Sequence, residues 1–350
     1  MQLTLETFKV HKRFALTISR GTATENTNIW LKIEAEGVEG WGEASPFSLL
    51  AAEEKNTEQL LGEFRRIIPI LETFSPYQRQ IIESILLQEK VNSSVRAAID
   101  MALLDWLGKR VNLPIWQLLG LNIQHIEPIS VTIGINTPQG AVQRAQDWQK
   151  LGEFKRLKVK LGSNQGLVAD QEMLLALRQQ FPQISLMVDA NGGWNLKDAI
   201  TMCNWLETQK VMYVEQPLAI NADKDLEILS ARSPLPIFVD ESCLTSEDIP
   251  RLAPYVDGIN IKLMKAGGIS EVLRMIHTAR SCNLQVMFGC YSDSCLANTA
   301  MAHLSPLADY LDLDSHLNLV DDPFSGLNVE SGKLVPSISP GWGVVHHAHP

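Results

Sequence analysis

From residue 156 onward, strand-like segments of this 350-residue chain end again and again on ionisable side chains. Lys158 and Lys160 close RLKVKLG, Asp189 closes SLMVDAN, Glu215 closes VMYVEQP and Asp240 closes PIFVDES. Lys262 then closes GINIKLM, and Asp312 with Asp314 closes DYLDLDS. Residues two apart on a strand share a face, so Lys158 and Lys160 point together, as do Asp189 and Asn191, and Asp312 and Asp314. Two neighbouring lysines repel, which favours the neutral amine of at least one and so a base usable near neutral pH. Three carboxylates converging from successive strands repel unless a cation joins them. A ligand set of Asp189, Glu215 and Asp240, all oxygen and without His or Cys, suits a hard ion, Mg2+ first. The competing reading pairs each carboxylate with a lysine across the same opening. Taken in order the residues spell base, three metal ligands, base. Lys160 and Lys262 then stand on opposite sides of a site that removes a proton from one face of a carbon and returns one to the other. A metal there would hold a carboxylate and stabilise the enediolate left when its α-proton departs.

Such convergence needs a scaffold that brings strand ends together. Eight short apolar strands begin at residues 130, 156, 185, 211, 236, 258, 284 and 309, separated by helical stretches. Repeats of about 25 residues predict a closed parallel (β/α)8 barrel, whose chemistry sits at the C-terminal ends of the strands. An open doubly wound sheet would normally carry a glycine-rich phosphate turn, and no G-x-G-x-x-G is present. A barrel takes roughly 250 residues, which leaves about 100. The first hundred residues read as strands (2–20 and 29–36) followed by helices at 51–70, 76–88 and 93–109. The organisation expected is therefore an α+β capping domain at 1–125, a barrel at 126–322 that holds the site, and a segment at 323–350 that returns to the cap. His346, His347 and His349 read as a disordered tail rather than a metal tract.

Forty acidic residues against thirty basic ones give a net charge of −10, which disfavours nucleic acid as a partner. No apolar run approaches the ~20 residues of a membrane span, and the first residues show no secretory signal. Five cysteines without CxxC spacing predict reduced thiols in a cytoplasmic protein.

With these motifs in this order, the chain resembles the muconate-lactonizing subgroup of the enolase superfamily along essentially its whole length. The motifs are WGEASP, LKVKLG, VDANGGW, VEQP, VDES, INIKLMKAGGI and DLDS. The resemblance implies Lys160 and Lys262 as acid/base catalysts, Asp189, Glu215 and Asp240 as Mg2+ ligands, and Lys158 on the substrate carboxylate. Within the subgroup the sequence is similar to the dipeptide epimerases, especially the L-Ala-D/L-Glu epimerases, through Asp312-Leu313-Asp314. In that family the pair holds the free ammonium of the dipeptide. Asn191, Thr132 and Cys290 join the substrate-binding set, although packing accounts equally for the last two. Arg20, in the loop ISRGT, matches a position able to pair with a glutamate side chain. Asp293 replaces a commoner Glu, and facing the pocket it would favour cationic side chains instead.

The activity expected is thus a Mg2+-dependent epimerisation of a dipeptide such as L-Ala-L-Glu by two lysines, in a homo-oligomeric enzyme with a small-molecule partner only. o-Succinylbenzoate synthase or muconate cycloisomerase chemistry uses the same scaffold, but those substrates carry no ammonium for Asp312 and Asp314. A non-catalytic binding barrel would leave the lysine pair and the three carboxylates without a purpose.

Overall fold

The computed structural model describes residues 1–47, 56–220 and 222–347. The N-terminal part opens with a three-stranded antiparallel sheet, β1 (Gln2–Ile18), β2 (Gly21–Ala35) and β3 (Val38–Ala44). The expected second strand begins eight residues early, because Gly21, with φ +148°, turns a long hairpin. Helices α1 (Thr57–Leu71), α2 (Arg79–Gln88) and α3 (Ser93–Arg110) pack on the sheet. The helix expected over 51–70 thus starts within the described residues at Thr57, and 51–55 lie outside them. Asn56 caps α1 reciprocally with Gln59, which satisfies two otherwise unpaired backbone donors. The cap has its own apolar core, in which Ile29, Leu31 and Ile33 meet Leu60, Phe64, Ile67, Ile99 and Trp106.

The barrel strands are β4 (Val131–Ile133), β5 (Arg156–Lys160), β6 (Ser185–Asp189), β7 (Val211–Glu215), β8 (Ile237–Val239), β9 (Gly258–Lys262), β10 (Gln285–Gly289) and β11 (Tyr310–Asp312). They pair in parallel in chain order. The ring closes where Ile129 bridges Leu311 and the Ser130 amide donates to the Leu311 carbonyl at 2.8 Å. Each strand is shorter than its apolar segment, since the chain bends out of the sheet at the charged residues. Outward-facing aliphatics pack under the helices. Inside, Met187, Tyr213, Phe238 and Met287 form an apolar plug, and the next inward positions toward the C-terminal ends are ionisable or small. This alternation sets every functional side chain in the opening above the plug.

The tail is ordered where the sequence suggested disorder. Val345–His346 pairs with Phe324–Ser325, and the His346 ring lies 4.9 Å from that of Trp41. His347 shares a 2.7 Å hydrogen bond with Ser325. His346 is thus held by aromatic rings and His347 by a surface hydrogen bond, while His349 falls outside the described residues. Further in, the buried Trp342 donates its amide to Asp105 at 2.7 Å and its indole N–H to the Met101 carbonyl, both on α3. The end of the chain is thereby fastened to the cap.

Candidate active site

On β5 to β9 the inward positions run Lys158/Lys160, Met187/Asp189, Tyr213/Glu215, Phe238 with Asp240 just beyond its strand, and Asn260/Lys262. The register sets Lys160 beside Asp189 and Asp189 beside Glu215. Lys262 lies beside Gly289 of β10. A Cβ at Gly289 would meet Asn260 Oδ1 at 2.6 Å and Lys262 Cε at 3.0 Å, so the glycine makes room for the lysine. Lys160 and Lys262 come from strands four apart in the ring. They line one cavity of about 770 Å3 with Leu16, Ile18, Arg20, Phe47, Asn191 and Tyr291. Both also line an adjoining recess of about 50 Å3, where Thr132, Cys290, Asp312 and Asp314 form the far wall. The cap therefore supplies the outer wall of the chamber, and the strand ends supply its floor.

The carboxylates and lysines neutralise one another. Lys160 reaches Asp189 at 2.5 Å, and Lys262 reaches Asp240 at 2.7 Å. Lys158 contacts Asp312 at 2.6 Å, Glu215 at 2.7 Å and Asp189 at 3.5 Å. It is wholly buried beneath the chamber and lines neither space. Burial opposes the Lys158 ammonium, but Asp312, Glu215 and Asp189 outweigh it and hold the group well above the ordinary lysine range. The neutral amine expected from lysine–lysine repulsion is thus not favoured at Lys158, because Asp312, Glu215 and Asp189 surround its ammonium. The same contest of burial against Asp240 raises Lys262. Asp240, buried between Lys262 and Lys265, is held far below the usual carboxylate range by those two ammoniums.

Glu215 has the opposite fate. Desolvation first, and then the charge of Asp189, push it up to about 8. Its Oε1 accepts from Asn260 at 2.8 Å, whereas its Oε2 meets only the Lys158 ammonium, off any hydrogen-bond direction. Glu241 Oε2 and Asn191 Oδ1 are also buried without a hydrogen-bond partner. Among the described residues no three His, Cys, Asp or Glu side chains close on one point as a preformed cage; ammonium groups hold the carboxylates instead. The donor set nevertheless fits a hard divalent cation. It is all oxygen and fully buried, and Glu215 Oε2 is left there without a hydrogen-bond donor.

At the other end, the Thr132 amide donates to Asp314 at 2.7 Å, Ser130 Oγ donates to Asp312 at 2.9 Å, and Cys290 Sγ donates to the Asp312 carbonyl at 3.2 Å. Burial and then the neighbouring Asp312 raise the Asp314 carboxyl to about 6. Two of the sequence-predicted specificity residues lie elsewhere than expected. Arg20 reaches the chamber wall, but its guanidinium binds Glu241 at 2.8 Å and the Asn191 carbonyl at 3.1 Å. Asp293 turns away from the chamber: it accepts from Ser45 Oγ and the Tyr291 amide, so it fastens the loop after β10 to the cap.

Sequence reasoning missed four contributors. Lys265 donates to Asp240 Oδ1 at 2.7 Å and to two carbonyls, and its spacing of three after Lys262 was the available signal. Gln216, at φ +37°, accepts the amides of Asp240 and Ser242 and so orients the β8 loop. Glu241, beside Asp240, is the partner of Arg20. Tyr291 stacks on Phe47 with ring centroids 4.5 Å apart and lies 4.4 Å from the Lys262 ammonium. Nothing in the order of residues shows that contact.

Comparison with known proteins agrees with this architecture. Residues 3–120 match the mandelate racemase / muconate lactonizing enzyme N-terminal domain, and 140–348 match the enolase C-terminal domain-like family. A hydrophobic dipeptide epimerase of a Flavobacteria bacterium is 41% identical over 347 residues, covering 98% of this chain and 97% of that protein. Another, from Roseobacter litoralis, is 40% identical over 352 residues, at 99% and 100% coverage. Among solved structures, the dipeptide epimerase of Enterococcus faecalis, complexed with Mg and the dipeptide L-Leu-L-Tyr, superposes with a TM-score of 0.91. It shares 29% sequence identity and 99% coverage of both chains.

Proposed function

The chain belongs to the mandelate racemase / muconate lactonizing enzyme family of the enolase superfamily, and on that premise we propose that its barrel mouth is a Mg2+-dependent dipeptide epimerase. The observation that carries this reading is the pair Lys160 and Lys262, two lysine side chains that line one chamber from opposite sides of the ring. One lysine, as the free amine, takes the α-proton of the dipeptide's C-terminal residue on one face. The other, as the ammonium, gives a proton to the opposite face, and the configuration inverts with no net change in protons. Asp189, Glu215 and Asp240 would hold Mg2+, which when bound supplies positive charge to offset the carboxylate charge that grows as the α-proton leaves. Asp312 and Asp314 take the free ammonium in the recess, with Thr132 and Cys290 beside them. Asn191 stands beside the carboxylates at the chamber edge, and Lys158 fixes Asp312 from below.

The side chain of the epimerised residue meets Leu16, Ile18, Ala23, Phe47 and Tyr291. Since Glu241 occupies Arg20, an apolar residue suits this position better than glutamate. The names of the two relatives, both hydrophobic dipeptide epimerases, support the same choice. All five cysteines are free, which supports a cytoplasmic location, and among the described residues no helix is long and apolar enough to cross a membrane. A symmetric homo-oligomer is the assembly we favour.

The test is a dipeptide library incubated in D2O with Mg2+ and read by NMR. Exchange of the C-terminal α-proton, lost with a chelator and restored by Mg2+, is the expected result. Lys160→Ala and Lys262→Ala each abolish epimerisation, while one of them retains exchange from a single enantiomer. No exchange across the library overturns the reading.

A further inference from the structure

The chamber holds a cation that the reaction above does not use. Strand β1 loses its register against β2 between His11 and Leu16, and the intervening residues bulge toward the barrel. The bulge is clamped rather than loose. Asn318 accepts the Phe14 amide at 2.8 Å and donates to the Phe14 carbonyl at 2.9 Å, and Val320 donates to the His11 carbonyl at 3.0 Å. Lys12 itself bridges to Leu319. This anchoring carries Lys12 into the chamber wall, where it lines both the main cavity and the recess of Asp312 and Asp314.

The surroundings of its ammonium are unlike those of every other cation that reaches these spaces. Lys160, Lys262 and Arg20 each hold a carboxylate. Arg144 lies over the Phe14 ring, 4.1 Å from its centroid. Lys12 donates to Ser292 Oγ at 2.7 Å and, among the described residues, has no carboxylate at ion-pair distance. It is largely buried, and that burial lowers its pKa; Cys290, Asp314 and Asp293 only partly offset the penalty. A buried ammonium with one neutral hydrogen bond is poorly compensated, and the folded chain keeps it there by means of two backbone clamps.

We propose that Lys12 is a specificity residue that binds a carboxylate on the side chain of the dipeptide's N-terminal residue, so that the preferred substrates carry Asp or Glu at that position. The assignment rests on the dipeptide reading, with the substrate ammonium at Asp312 and Asp314. Charge balance in the recess favours it. Asp312 is already paired with Lys158, and Asp314 accepts the Thr132 amide. The single Asp314 charge must then offset both Lys12 and the incoming substrate ammonium, and an acidic side chain on the same residue neutralises the excess. A cationic side chain there compounds it. The C-terminal residue, by contrast, faces the apolar wall of Leu16, Ile18 and Phe47.

The test compares kcat/KM for L-Glu-L-Leu, L-Gln-L-Leu, L-Lys-L-Leu and L-Ala-L-Leu, with L-Leu-L-Glu and L-Leu-L-Gln as the reversed pair. The wild type is expected to favour Glu over Gln at the N-terminal position by roughly 10- to 100-fold, mostly through KM, as one charge-assisted hydrogen bond implies. Lys12→Met brings that ratio to about one, and Lys12→Glu turns the preference toward L-Lys-L-Leu. Circular dichroism spectra confirm that both variants fold. Turnover of L-Ala-L-Leu without a Glu preference overturns the Lys12 assignment alone. So does a Lys12→Met effect confined to the reversed pair. Failure of the wild type to epimerise any dipeptide overturns the underlying reading as well.

Discussion

Asp314→Asn should make the free protein more stable and the enzyme worse. The Asp314 carboxyl is 6% exposed, next to Asp312, and it titrates at about 6 in place of its ordinary 3.8. In the unfolded chain it ionises near 3.8, and in the folded chain only near 6. The native state therefore binds the proton more tightly, and stability falls as pH rises through this window. The difference of about two units corresponds to about 3 kcal/mol of destabilisation once the group is ionised in both states. Asparagine never ionises, and its carbonyl can still accept the Thr132 amide.

The variant should thus gain about 3 kcal/mol over wild type at pH 8 and roughly half of that at pH 5, with the gap closing further toward pH 4. Denaturant unfolding at the two pH values measures this. The same change removes the charge that is to hold the substrate ammonium. KM for L-Ala-L-Leu should then rise roughly 10- to 100-fold at pH 8, the worth of a charge-assisted hydrogen bond. Wild-type KM should climb as pH falls through 6, and that of the variant should stay flat across the range. A destabilised variant at pH 8 would refute the electrostatic reasoning. A KM that is unchanged would refute the ammonium assignment.

Two further outcomes concern how the cap is held. Glu43 of β3 is wholly buried, and desolvation followed by the charge of Asp293 pushes it up to about 8. It accepts from the amides of Ser294 and Ala297 at the start of helix Cys295–Leu304 and bonds the Ser294 hydroxyl. Unfolded it ionises near 4.5 and folded only near 8, so stability falls as pH rises through that window and levels off above it. Glu43→Gln should therefore gain on wild type by about 1.4 kcal/mol between pH 7 and pH 9 in denaturant unfolding; a gap that does not widen counts against the protonated carboxyl. A Cβ at Gly42 would lie 1.9 Å from the Ala98 carbonyl oxygen of α3, which cannot move aside. Gly42→Ala should lose roughly 3 kcal/mol or more, whereas Gly62→Ala in α1, which meets nothing within 4 Å, should gain up to about 1 kcal/mol. Equal effects at the two glycines would contradict the close approach of β3 to α3.

The barrel was legible because its period is local. Each β–α unit repeats the same apolar run, charged strand end and helix within about 25 residues. The site was legible for the same reason: Lys160, Asp189, Glu215, Asp240 and Lys262 each stand where a strand's alternation reaches the C-terminal rim. The N-terminal hairpin was read with a gap because residues 21–25 are exposed and 21–28, rich in Thr, Asn and Glu, lack the apolar alternation that marks a strand. The ordered tail was missed because His346 is held by Trp41 and Phe324, residues 305 and 22 positions away.

What stayed hidden is the choice of partner for each charge, and that choice decides specificity. Arg20 in isolation is a free cation at a loop tip, suited to a glutamate side chain. Folded, it faces Glu241 at 2.8 Å, on the loop after β8 whose amides at Asp240 and Ser242 are held by Gln216. Asp293 in isolation is an acid at a strand end. Folded, it is buried against the cap, where it accepts from Ser45 Oγ and the Tyr291 amide. Lys12 in isolation lies in a polar stretch, HKRF, with nothing to distinguish it from Lys9. Folded, a bulge clamped by Asn318 brings it to the recess, where among the described residues no carboxylate pairs with it. The cation available to a substrate carboxylate is therefore the one the protein leaves unpaired, and neither its type nor its spacing marks it. Exchanging partners tests this directly. If Glu241 is what withdraws Arg20, Glu241→Gln frees the guanidinium and raises kcat/KM for L-Ala-L-Glu relative to L-Ala-L-Gln, an effect that the double change with Arg20→Leu cancels. A ratio that rises equally in the double variant would place the new selectivity somewhere other than Arg20.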